Sequence, residues 1–176
     1  MYSSLGRLDA TFGAASWDEA LAWIAGVQPG EPIGEVQYWG HGKWGSVQIA
    51  DERLSASALR ERHPLHSRLC GLRERLAPEA LLWFRTCETF GAKSGIDFAR
   101  RCTDFFGVRA AGHTHVIHYW QSGLHGLTPG HVPDWRAADG LIQGTPEEPR
   151  SARTSSPLEP RTITCTQGTI PARWFA

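Results

Sequence analysis

Neither sign of charge is in excess in this 176-residue sequence: 18 Lys and Arg stand against 18 Asp and Glu, a formal net charge of zero. A protein that tracks phosphates needs a basic surplus, so a nucleic-acid partner is not expected. Long apolar runs are missing too. None approaches the roughly 18 residues needed to cross a bilayer, so no membrane partner is expected. The opening Met1-Tyr2-Ser3-Ser4-Leu5-Gly6-Arg7 lacks the basic-then-apolar plan of a secretory signal. Cysteine is sparse: Cys70, Cys87, Cys102 and Cys165 form no CxxC pair and no tight framework. A chain this long builds a core without disulfides, so reduced thiols and a cytoplasmic location are expected. Internal repeats are absent, and neither a cofactor nor a resident metal is expected.

What remains is the composition of an ordinary soluble domain, 41% hydrophobic and 20% charged, with eight tryptophans to fill a core or line a groove. The first dozen residues carry no pattern. Ser16-Trp17-Asp18-Glu19 reads as a capping box, and Trp17, Ala20, Leu21 and Ile24 continue at helical spacing to Gly26. Pro29-Gly30-Glu31-Pro32 turns the chain into a strand over 33–39. A hairpin-like piece over 46–49 follows, with 51–57 as turn or lead-in. Pro64 suits a first helical turn, Leu65, Leu69, Leu72 and Leu76 make an apolar stripe, and Pro78 is expected to end that helix. The apolar run 80–86 reads as a strand buried on both faces. Ser94-Gly95-Ile96-Asp97 suggests a second capping box, opening a helix that Gly107 closes. Short strands are expected at 108–111 and 116–120.

Helix and strand therefore alternate, which predicts an α/β fold: a three-layer α/β/α sandwich on a mostly parallel sheet. Two parts are expected. Residues 1–144 form the α/β domain. Residues 145–176, rich in Pro, Ser, Arg and Glu, form an extended segment that packs on it or trails from it.

Two strands stop at a reactive side chain. Val36-Gln37-Tyr38-Trp39-Gly40 delivers His41-Gly42, and Leu81-Leu82-Trp83-Phe84-Arg85-Thr86 delivers Cys87. As parallel neighbours they bring both residues to the carboxyl edge of the sheet, where open α/β sheets bind ligands. A thiol attacks as thiolate and needs a base, which near neutral pH is usually histidine. Acyl transfer also needs donors for the oxyanion, and glycine after the histidine leaves a backbone N–H unobstructed.

A strand ending in His-Gly followed by an apolar strand ending in Cys resembles the caspase-like (clan CD) cysteine peptidases, above all their less characterised bacterial members. The 41-to-87 separation is near the roughly 50 residues between the two residues in caspases. The similarity spans about 33–118. It implies a caspase-hemoglobinase-like fold, His41 as base, Cys87 as nucleophile, and the Gly42 and Cys87 N–H groups as oxyanion hole. A polypeptide substrate follows, and partner domains or regulatory proteins are further expectations. Caspases carry Gln-Ala-Cys where this chain has Arg85-Thr86-Cys87, followed by Glu88. A carboxylate turned towards a thiol opposes its ionisation, which keeps a second reading open: a catalytically inactive relative that binds a partner peptide.

The cluster Gly112-His113-Thr114-His115-Val116-Ile117-His118 holds a second candidate. His113 and His115 would share one face of a strand and line the substrate cleft, with Glu88 and Asp134 as further lining residues. A zinc site using His125, His131 or Asp134 as a third ligand is the weaker alternative, since the spacing fits no zinc motif. Arg85, Arg109 and Arg136 would receive an acidic substrate side chain, and Asp134 or Asp139 a basic one. Cys70 and Cys102 read as structural.

Overall fold

The computed structural model describes residues 8–176, so the patternless lead-in falls largely outside the described residues. Helix α1 (Trp17–Gly26) starts at its capping box. The Ser16 Oγ accepts from the Glu19 N–H at 3.1 Å, while the Glu19 carboxylate accepts from Ala15 N–H, one residue earlier than the usual reciprocal bond. Strand β1 (Ile33–Trp39) follows the Pro-Gly turn. A three-stranded antiparallel meander comes next: β2 (His41–Lys43), β3 (Ser46–Ile49) and β4 (Glu52–Ser55). Part of the expected turn over 51–57 is thus a strand, because Leu54 buries opposite Val47.

Helix α2 (His66–Arg75) buries Leu69 and Leu72 as the stripe predicts. It ends ahead of Pro78, and β5 (Leu76–Arg85) begins at once. Pro78 sits in an exposed part of β5 beside a register shift, the position a sheet allows for a residue without an N–H. Helix α3 (Ala92–Phe106) also corrects an expectation: its N-cap is Gly91, so the supposed capping box lies inside the helix. Ser94 donates its hydroxyl to Trp44 O at 2.9 Å, and Asp97 pairs with Arg101 one turn on. Gly107 ends the helix in the left-handed region, φ 68°. Then come β6 (Arg109–His113), β7 (Trp120–Gln121), β8 (Leu124–Leu127), β9 (Leu141–Gly144), β10 (Pro149–Ala152) and β11 (Ile163–Thr164). The strand expected over 116–120 does not form as such: Val116 makes a single bridge to Thr154, and of that range Trp120 alone is in a strand, at the start of β7.

The main sheet has the order β1-β5-β6-β8, parallel except for β8. Alternation along β5 explains its unbroken apolar run. Leu82 and Phe84 join a core with Trp17, Leu69, Phe98 and Phe106, so α1, α2 and α3 contribute to one cluster. Leu81 and Trp83 face a second cluster with Ala111, Leu124, Ile163, Trp174 and Phe175. The side chains gathered there with the sheet come from the C-terminal segment. That segment is tied down further: β10 pairs with β9, β11 with β7, and Thr128 N–H donates to Ala176 O at 2.8 Å. Among the described residues, no helix is long and apolar enough to cross a membrane.

Candidate active site

The parallel register of β1 and β5 runs to Trp39 opposite Arg85. His41 and Cys87 each lie two residues further on, at the same carboxyl edge of the sheet. His41 opens β2 and is exposed; Cys87 is partly buried at the head of the loop between β5 and α3.

Four contacts join β2 and the turn after it to the cysteine loop and the first turn of α3. Gly42 packs on the Thr86 and Thr89 hydroxyls so closely that an added Cβ would overlap both oxygens. Those hydroxyls bond each other and are buried. Gly45 N–H donates to Thr89 O at 2.9 Å. Lys43 Nζ lies 3.2 Å from the Glu88 carboxylate, and Ser94 reaches Trp44 O. His41 and Cys87 therefore ride on two segments fixed to each other.

Glu88 is turned inward, 3% exposed, in the left-handed region at φ 56°. Such a conformation is unusual for a side-chain-bearing residue and persists only where the surroundings hold it. Its N–H donates to His115 O at 3.0 Å, and Lys43 meets its charge. The Cys87 Sγ accepts from Ile117 N–H at 3.4 Å and reaches Ile117 O at 3.7 Å. Among the hydrogen bonds of the described residues, none joins His41 to Cys87.

The histidine cluster divides. His113 is fully enclosed, so it does not line a cleft; its Nδ1 bonds Ser122 O at 3.0 Å, and burial pushes its pKa down to about 3. His115 turns its ring towards Glu159, 3.4 Å away, with Thr114 on the other nitrogen; burial lowers its pKa while Glu159 pulls it up. It lines a cleft of about 370 Å³ together with His125, Asp134 and Arg161, and neither His41 nor Cys87 belongs to that lining. Asp134 is held by Arg161, whose guanidinium keeps the carboxyl below its ordinary range. Burial, with Arg161 adding to it, pushes the His125 pKa down to about 3. Among the described residues, no three of His, Cys, Asp and Glu converge to hold a metal ion, so the zinc alternative finds no ligand set.

The arginines disperse as well. Arg85, 2% exposed, lies 4.1 Å from the ring centroids of both Trp39 and Trp83. It donates to Gln121 Oε1 and to the carbonyls of Cys165 and Gln167. Arg109 starts β6, at the opposite edge of the sheet, and donates to Glu79 O. Arg136 pairs with Asp139 on the surface. Cys102 is fully buried, which raises its thiol pKa, whereas Cys70 is partly exposed with its Sγ 3.4 Å from His66 Nε2.

Sequence reasoning missed Lys43, Thr86, Thr89 and the Ile117 backbone. Lys43 had a signal: it lies two residues beyond His41 as Glu88 lies one beyond Cys87, so opposite charges follow both strand ends. The Ile117 contact had none, because a strand was expected where the chain bends. Comparison with family models, with curated proteins and with solved structures finds no match.

Proposed function

We propose that the chain is a caspase-like cysteine peptidase domain that cleaves polypeptides through an acyl-enzyme on Cys87. The carrying observation is the in-register end of β1 and β5, with His41 and Cys87 two residues beyond the last matched pair. In this reading His41 takes the thiol proton as sulfur attacks the scissile carbonyl, and the Gly42 and Cys87 N–H groups receive the oxyanion. The imidazolium then gives that proton to the departing amine, the C–N bond breaks, and water hydrolyses the thioester with His41 again as base. The absence of a His41–Cys87 hydrogen bond fits an unliganded enzyme, since catalytic contacts often tighten only on binding. The caspase-hemoglobinase-like fold belongs to this reading too, supported by the mostly parallel sheet β1-β5-β6-β8; the expected α/β/α sandwich is met on one face only, since α1, α2 and α3 share one cluster and side chains of the C-terminal segment fill the other. Four free thiols suit a reducing, cytoplasmic setting.

The test is labelling by an acyloxymethyl ketone at low dose, with the modified peptide located by mass spectrometry. Wild type should be labelled at Cys87 and Cys87→Ala should not be labelled. His41→Ala should slow labelling at least tenfold. Equal labelling of Cys87→Ala, through partly exposed Cys70 or Cys165, sinks the assignment. A second reading has its own support: the Cys87 Sγ engages the Ile117 backbone rather than the imidazole. A non-catalytic domain that binds a partner peptide at this edge would leave Cys87 no faster than an ordinary thiol.

A further inference from the structure

We propose that Cys70 is a reactive thiol distinct from Cys87, at which hydrogen peroxide forms a reversible sulfenic acid with His66 as the base. The proposal stands whether or not Cys87 is the nucleophile of a peptidase.

Among the hydrogen bonds of the described residues, one joins a thiol to an imidazole: Cys70 Sγ lies 3.4 Å from His66 Nε2. The two residues sit one turn apart on α2, at i and i+4. The ring's other nitrogen fixes its tautomer. His66 Nδ1 lies 3.0 Å from the Leu59 carbonyl, which can only accept, so Nδ1 carries the proton of the neutral ring. Nε2 then holds a lone pair, and the thiol S–H donates to it. Leu59 ends a short 3₁₀ helix (Ala56–Leu59), whose last carbonyls have no partner within it and are free to take such a donor. Nucleophile, base and a third group that orients the base are thus all present.

The surroundings favour the ion pair that proton transfer makes. Arg73, three residues beyond Cys70, continues the stripe of His66 and Cys70 along α2. His66 meets the Phe105 ring edge-on, centroids 5.5 Å apart, and the Arg73 guanidinium lies 5.0 Å from the same ring. Phe105 therefore anchors a base one turn before the thiol and a cation one turn after it, and a nearby cation stabilises a thiolate. The other thiols lack this setting. Cys87 Sγ accepts from Ile117 N–H, Cys102 is fully buried, and no hydrogen bond among the described residues joins Cys165 to an imidazole. Cys70, expected as structural from its helix stripe, is partly exposed, and peroxide is a small reagent. In the reaction the Cys70 thiolate attacks one peroxide oxygen, the O–O bond breaks, and the departing hydroxide takes the His66 imidazolium proton and leaves as water. Sulfur is oxidised by two electrons and peroxide reduced by two. A dithiol returns the sulfenic acid to thiol, leaving as its disulfide with release of water.

The test exposes the full chain to hydrogen peroxide with dimedone present as the sulfenic acid trap, and follows each cysteine by peptide mass spectrometry. Cys70 should form the adduct about tenfold faster than Cys165, a partly exposed thiol without a base. His66→Asn keeps a donor for Leu59 O and removes Nε2, so it should slow Cys70 about tenfold and leave Cys165 unchanged. Fully buried Cys102 reports the fold: a variant in which it stays unmodified is still folded. Where the variant exposes Cys102, the wild-type ratio of Cys70 to Cys165 decides. Equal rates at Cys70 and Cys165 overturn the proposal, and so does a folded His66→Asn chain with the Cys70 rate unchanged. Cys70→Ser should lose the adduct at position 70 and keep acyloxymethyl ketone labelling at Cys87. Wild type that is oxidised at Cys70 but not labelled at Cys87 removes only the peptidase reading; labelling at Cys87 without selective oxidation at Cys70 removes only this proposal.

Discussion

At the scale of single residues, the candidate site depends on how closely two segments approach. Gly42 lies against the Thr86 and Thr89 hydroxyls with no room for a methyl group, and both threonines are buried and bonded to each other. Gly42→Ala must therefore push β2 away from the cysteine loop. The expected cost is roughly 1–3 kcal/mol, the range for overpacking, read from a urea midpoint. The same change should abolish Cys87 labelling in protein that still melts cooperatively; unchanged labelling would mean that the approach of these loops does not matter to the thiol. His41, Gly42 and Cys87 were legible because glycine beside histidine and a strand that stops at cysteine are local patterns. The threonines were not legible as partners. Their contact arises from two segments more than forty residues apart, and nothing in Thr86-Cys87-Glu88-Thr89 reports which side of the loop packs on β2.

At the scale of elements, the meander and the cysteine loop behave as one unit, tied by Lys43–Glu88 and by Gly45 N–H to Thr89 O. Glu88 is buried, so removing its partner leaves a charge in a poor solvent. Lys43 is half in water, its side chain 52% exposed, which reduces the effect below the 3–5 kcal/mol of a fully buried pair. Lys43→Met should cost roughly 1–3 kcal/mol. Glu88→Gln should cost less, and the double variant should recover part of the Lys43→Met loss. A double-mutant cycle with zero coupling would show that the pair ties nothing together. The order of helices and strands was readable because apolar spacing reports it. Boundaries were less so. Strand β5 starts ahead of Pro78, as a register shift makes an exposed place for it, and α3 starts ahead of Ser94, whose hydroxyl is used by Trp44 O. In both cases a long-range contact overrode a local punctuation signal.

At the scale of the whole molecule, the C-terminal segment decides what the histidine cluster is. Composition alone suggested an extended stretch, and it was silent on where that stretch packs. Through β11 and residues 170–175 it joins the second core, and Glu159 and Arg161 close over His115 and His125. The cluster consequently reads as interior structure with a pH cost. His113 and His125 are both held neutral, with pKa values near 3 against an ordinary 6.5, chiefly by burial. Each binds a proton more readily in the unfolded chain than in the folded one. The stability this confers is complete above about pH 6.5 and is lost as pH falls from there towards 3, with a slope of roughly 1.4 kcal/mol per pH unit for each histidine. Urea midpoints measured from pH 7 to pH 5 should therefore fall steeply. His113→Leu leaves Ser122 O without its partner and should be less stable at pH 7, yet its midpoint should fall less steeply with acid. A slope unchanged in that variant would show that His113 is not among the groups whose protonation unfolds the chain.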